Sequence, residues 1–179
     1  MISDLPETRL SRRIDPFLTA IGDAVSWLWL VLIATVLLNV ILRYAFGEGR
    51  IELEEVQWHL YSVGFLLGIA YAYQADAHIR VDVLHERLSL RTQAWIELYG
   101  IVLLLLPFIV LVLVFSLPFV LASFDLGETS QAPGGLPLRW LIKAALPAGF
   151  TLLLAATISR LSRIWSLLFG DNGGADGGQ

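Results

Sequence analysis

Cysteine is absent from the 179 residues, which excludes a disulfide framework, a thiolate metal site and a thiol nucleophile. Histidine occurs only three times, and His59 alone falls inside a long apolar run. A membrane haem pair needs several intramembrane histidines, so that chemistry has too few ligands. Charge is sparse as well: Asp, Glu, Lys and Arg make up 16% of the chain, and a net charge of −4 says little about partners. No phosphate-cradling glycine loop, nucleophile elbow or HExxH motif occurs, and no period of 20–50 residues marks a repeat array. These absences leave no enzyme reading.

Apolar residues are what the chain has in excess. They form 56% of it, against roughly 45–50% in soluble domains, and the mean hydropathy is +0.70. Four runs approach the ~20 residues needed to cross a bilayer core of about 30 Å: residues 22–42, 56–73, 98–121 and 141–158. Within lipid the backbone must satisfy its own hydrogen bonds, so all four are predicted helices. The expected fold is therefore an all-α membrane protein with four transmembrane helices and short cytoplasmic interfacial helices. The first run is too long for a signal-peptide core and ends in Asn39 and Arg43, so it is expected to be retained.

Basic residues outside the spans set an orientation. Arg9, Arg12, Arg13, Arg80, Arg87, Arg91, Arg160 and Arg163 lie on one side. Only Arg43, Arg50 and Arg139 lie on the other. Both termini and the middle loop are accordingly expected in the cytoplasm. Residues 1–21 form an N-terminal amphipathic segment, with Leu10, Ile14, Phe17, Leu18 and Ile21 at helical spacing, broken or restarted at Asp15-Pro16. A second interfacial helix is expected in the middle loop, where Val81, Leu84 and Leu88 share a face. The four-helix domain covers 22–158, and residues 159–179 form a flexible cytoplasmic tail.

Each polar group near the bilayer has a structural and a functional reading. Lys143 lies about a turn inside the fourth helix and is expected to snorkel as an anchor. His59, one turn after Glu55, is expected to be a hydrogen-bonded packing residue. His78, Asp82 and His85 share a face if helical, but a solvated stripe beside Arg80 outweighs a metal site. Glu54 and Glu55 are adjacent and point in different directions, so only one can meet Arg43 across the hairpin. Such a pair supports the hairpin rather than substrate chemistry. Gly64, Gly68 and Ala72 form a small-residue stripe for close helix packing. Pro107, Pro118 and Pro147 are expected to bend the third and fourth helices.

Taken together, "NVILRYAF", "ELEEVQWHLYSVGFLLGIAYAY", "HIRVDVL" and "GETSQAPGGLPLRWLIKAALPAGF" resemble the small permease subunit of tripartite ATP-independent periplasmic (TRAP) transporters, the DctQ-type family. The resemblance implies a scaffold in the bacterial inner membrane, held against a much larger permease subunit that contains the transport and sodium sites. A periplasmic substrate-binding protein delivers the substrate, usually an organic acid. The lipid bilayer and these two proteins are the implied partners, and nucleic acid is not among them. No cofactor is expected in this chain. The loop around Glu128, Gly134, Gly135, Pro137, Trp140 and Lys143 is the expected docking surface. The rival classes are a self-contained homo-oligomeric transporter and the membrane anchor of a redox complex.

Overall fold

A computed structural model describes residues 5–77 and 88–170. The described residues are helical with no strand. Helix α1 spans Ser11–Ala45, α2 Ile51–Gln74, α3 Leu90–Gly100, α4 Leu106–Asp125 and α5 Arg139–Phe169. A π-helical segment, Ile101–Leu105, joins α3 to α4 without interruption. Pro107 lacks the N–H that would bond the carbonyl four residues earlier, so the ladder changes register where the turn widens. Helices α4 and α5 continue through Pro118 and Pro147.

Local chemistry sets the ends. At the start of α1, the Thr8 amide donates to Ser11 Oγ and the Ser11 amide to Thr8 Oγ1, each at 3.0 Å. This reciprocal cap satisfies two donors that the first turn leaves open. Arg43 in its last turn matches the negative helix end, as Glu52 and Glu54 match the positive start of α2. Ser89 caps α3 by accepting from the Thr92 amide.

Three described helices are long and apolar enough to cross a membrane: Ser11–Ala45, Leu90–Asp125 and Arg139–Phe169. Helix α2 is not among them. Its glutamate-rich start, Gln57, His59 and three tyrosines dilute its apolar content. It lies antiparallel to α1, with Tyr71 against Gly22, Trp29 against Gly64 and Arg43 paired with Glu54. It lies parallel to α5, with Leu66 against Gly149 and Tyr73 beside Arg160.

Two expected boundaries move. The break at Asp15-Pro16 does not occur: α1 is continuous there, and Leu18 is fully enclosed with Ala70, Ile109, Phe150, Leu153 and Ala156. Residues 11–21 are thus the first turns of a long helix packed into the bundle. Nor does the last helix stop at residue 158. Helix α5 runs on to Phe169 because Ile164 and Leu168 bury against Leu5, Ala94 and Ile101. Residues 159–169 are therefore packed helix rather than flexible tail. His78, Arg80 and Asp82, with most of the second expected interfacial helix, lie outside the described residues.

The core is narrow, and large apolar side chains such as Trp27, Leu104, Val114 and Phe115 point outward. An apolar surface around an apolar core is what a helix bundle in lipid presents. Close approach depends on two glycines. A Cβ at Gly22 would enter the Tyr71 ring, and one at Gly149 would stand 2.5 Å from the Leu66 carbonyl oxygen. Within the expected stripe, Gly64 meets Trp29, whereas Gly68 faces open space. Gly64, Gly68 and Ala72 line a groove of about 400 Å³ between α1 and α2.

Candidate functional site

The end of the bundle bearing the α1–α2 and α4–α5 connections carries most of the expected site residues. Arg43 Nη2 pairs with Glu54 Oε1, as expected for one of the two acids. Glu55 points elsewhere. It accepts from the Ser130 hydroxyl and, at 2.6 Å, from the Leu136 amide. Ser130 in turn donates its amide to the Leu136 carbonyl at 3.1 Å. One α2 carboxylate therefore clasps the base of the 126–138 loop. Gly135 is needed there, since a Cβ would lie 2.5 Å from Ser130 Cβ and 2.8 Å from Glu55 Oε1. Gly134 adopts φ +79°, a left-handed conformation that glycine reaches without steric cost.

Glu128 closes the other side of the loop. It accepts from Ser123 Oγ at 2.6 Å and from Lys143 Nζ, and its carbonyl accepts the Arg139 amide at 3.0 Å. The Lys143 and Ser123 hydrogen bonds hold its carboxyl below the ordinary glutamate range. Lys143 also lies 4.3 Å over the Phe119 ring, so it is an inward tie between α4 and α5 rather than a group snorkelling freely. Trp140 packs edge-on to Phe124, with centroids 5.4 Å apart. Pro137 precedes Leu138, whose φ of +62° turns the chain into α5.

His59 donates Nδ1–H to the Glu55 carbonyl at 2.6 Å. It lines a pocket of about 200 Å³ with Trp58, Ser62, Ser130 and Arg139. Ligand clefts usually hold roughly 300–1,000 Å³. This pocket is small, and its one arginine lies near a glutamate that is already bonded.

The opposite end holds a cluster that spacing along the chain does not reveal. Arg160 is 3% exposed. Its Nε pairs with Glu97, its Nη2 donates to Asp76 Oδ1 at 3.0 Å, and its Nη1 donates to the Tyr73 carbonyl at 3.3 Å. One turn on, Arg163 pairs with Asp15 at 2.6 Å, and Ser159 Oγ donates to the other Asp15 oxygen at 2.5 Å. Thr8 and Ser162 hydroxyls meet at 2.8 Å. The side chains of α5 thereby tie α1, the end of α2 and α3 together. Arg160 and Arg163 read as flanking charges in the sequence. The available signal was two arginines three residues apart on the face that carries Ile164 and Leu168.

The charged side chains at these two ends thus hold helices and a loop together. The sequence matches the profile of the family "Tripartite ATP-independent periplasmic transporters, DctQ component" over residues 32–167. The chain belongs to the DctQ component family. Membership makes it the small subunit of a TRAP transporter, a multi-pass membrane protein and a transporter component rather than an enzyme. It also implies association with a large permease and a substrate-binding protein. No curated protein and no solved structure matches the chain.

Proposed function

We propose that this DctQ component braces the large permease subunit of a sodium-coupled, binding-protein-dependent uptake system for an organic acid, and that its 126–138 loop helps form the docking surface. The observation that carries the reading is the family match across most of the helical bundle. Sodium and substrate sites are assigned to the large subunit. Asp15, Glu55, Glu97, Glu128, Lys143, Arg160 and Arg163 are engaged in the small subunit's own ties, which supports a bracing role.

The proposed setting is the bacterial inner membrane with four spans. Support for α2 as the fourth comes from its neighbours. It runs antiparallel to α1 from Glu54 beside Arg43 to Tyr71 beside Gly22, so it recrosses the thickness that α1 traverses. The arginine distribution supports a cytoplasmic location for both termini and the α2–α3 connection.

Absence of native cysteine permits a direct test. Single cysteines replacing Glu48, Ser89 and Thr129 are treated with an impermeant thiol reagent in whole cells, and the tagged chain is then purified. Labelling at 48 and 129 but not 89, with a larger membrane protein co-purifying, is the expected outcome. Labelling at 89 alone would reverse the orientation. Purification without a large partner would remove the bracing role.

A further inference from the structure

We infer that the groove between α1 and α2, centred on Asn39 and Gln57, is the seat of a transmembrane helix of the large permease subunit that offers a hydrogen-bonding side chain at that depth. The inference rests on the proposed function and adds the face through which the subunits meet. Asn39 is 7% exposed, yet its Oδ1 has no hydrogen-bond partner. Gln57 Nε2 is likewise buried and unpartnered. Both residues line a groove of about 480 Å³ with Val36, Val40, Trp58 and Tyr61, closed at one end by the Arg43–Glu54 pair.

A buried amide oxygen or N–H without a partner is costly, and the neighbouring Val36 and Val40 side chains supply none. An acceptor on α1 and a donor on α2, both lining one groove, match a Ser, Thr, Asn or Gln side chain, which donates and accepts at once. Terminal amide torsions are soft, so a small rotation brings either atom toward the groove. The volume accommodates side chains of a crossing helix, and apolar flanks complete the contact. The outward face of α4 differs: Val110, Leu111, Val114, Phe115 and Leu121 are exposed there and apolar. That face is suited to lipid. Polar groups thus single out the α1–α2 groove from the apolar face of α4.

The test uses the assembled transporter. Cysteines replacing Val36 and Val40 at the groove, and Leu104 and Phe115 on the opposite surface, are labelled with benzophenone maleimide and irradiated in the purified complex. Adducts between small and large subunits are expected from positions 36 and 40 and not from 104 and 115. In parallel, the Asn39→Leu/Gln57→Leu double variant should retain the large subunit about five- to tenfold less well, the loss of two interhelical hydrogen bonds of average strength. Melting of the full small subunit alone should not fall.

Large-subunit adducts from 104 and 115 only would overturn the inference. So would small-to-small adducts or lipid-only adducts from the groove. A matching fall in melting temperature of the double variant alone would assign the two amides to each other and overturn it equally. If the unaltered chain retains no large subunit, the bracing role itself fails, and the two failures are told apart.

Discussion

The two ends of the bundle use the same residue types in opposite ways. At the end formed by residues 8–15, 73–76, 89–97 and 159–169, the ion pairs are enclosed. The Arg160 side chain is 3% exposed and the Glu97 side chain 14%. At the other end Arg43 and Glu54 are 48% and 42% exposed. Burial raises the cost of losing one partner from negligible to several kcal/mol. The first end is therefore a fixed clamp on the helices. The second presents an exposed ion pair beside a loop held by Glu55 and Glu128.

The strongest way to break this contrast is Arg160→Met. It leaves Glu97 and Asp76 facing each other without their cation, and about 3–5 kcal/mol of stability should go. Thermal unfolding of the detergent-solubilised subunit would show it, and Glu97→Gln added to the same chain should recover part. An unchanged melting temperature would mean that the clamp holds nothing.

Gly135→Val tests the clasp at the exposed end. Its side chain enters the space of Ser130 and Glu55, so a loss of about 1–3 kcal/mol is expected. Gly68→Ala, with nothing within 4 Å of the added carbon, serves as the neutral control. Equal losses at both glycines would show that loop closure is not what Gly135 serves.

Arg43→Ala should cost under about 1 kcal/mol, because both partners are exposed and screened. Complex yield in low and high salt measures it, and a loss as large as that of Arg160→Met would erase the distinction between the ends. The smallest effect expected is the acid response of Glu128. Its pKa is lowered in the folded state, so its contribution is present above the ordinary glutamate value of about 4.3 and fades as pH falls below that. Glu128→Gln should flatten the acid limb of the melting profile between about pH 4.3 and the lower folded value. An unchanged limb would place the acid sensitivity elsewhere.

Much of the helix content was legible because apolar runs report burial or lipid contact directly. The adjacency of Glu54 and Glu55 also foretold that one acid alone would reach Arg43. Its other half, Glu55 on Ser130 and Leu136, joins residues that only the folded bundle brings together. The same holds for Asp15 with Arg163 and for Gly149 against Leu66. The boundaries at 158 and 16 moved for different reasons. Beyond 158, Ser159, Arg160 and Arg163 stay inside α5 because Asp15, Asp76 and Glu97 on other segments satisfy them. At Asp15-Pro16, α1 runs on because the burial of Leu18 outweighs the local pre-proline preference. Spacing likewise picked the Gly64–Gly68–Ala72 stripe, while the tight contacts fall at Gly22 and Gly149, where the opposing surface decides.

The central claim is that this subunit braces and does not itself transport. Reconstitution into proteoliposomes under an inward sodium gradient tests it most directly, with radiolabelled organic acids as substrates. The small subunit alone should give no uptake above empty vesicles, and adding the large permease with its loaded binding protein should switch uptake on. Gradient-driven uptake by the small subunit alone would contradict the account.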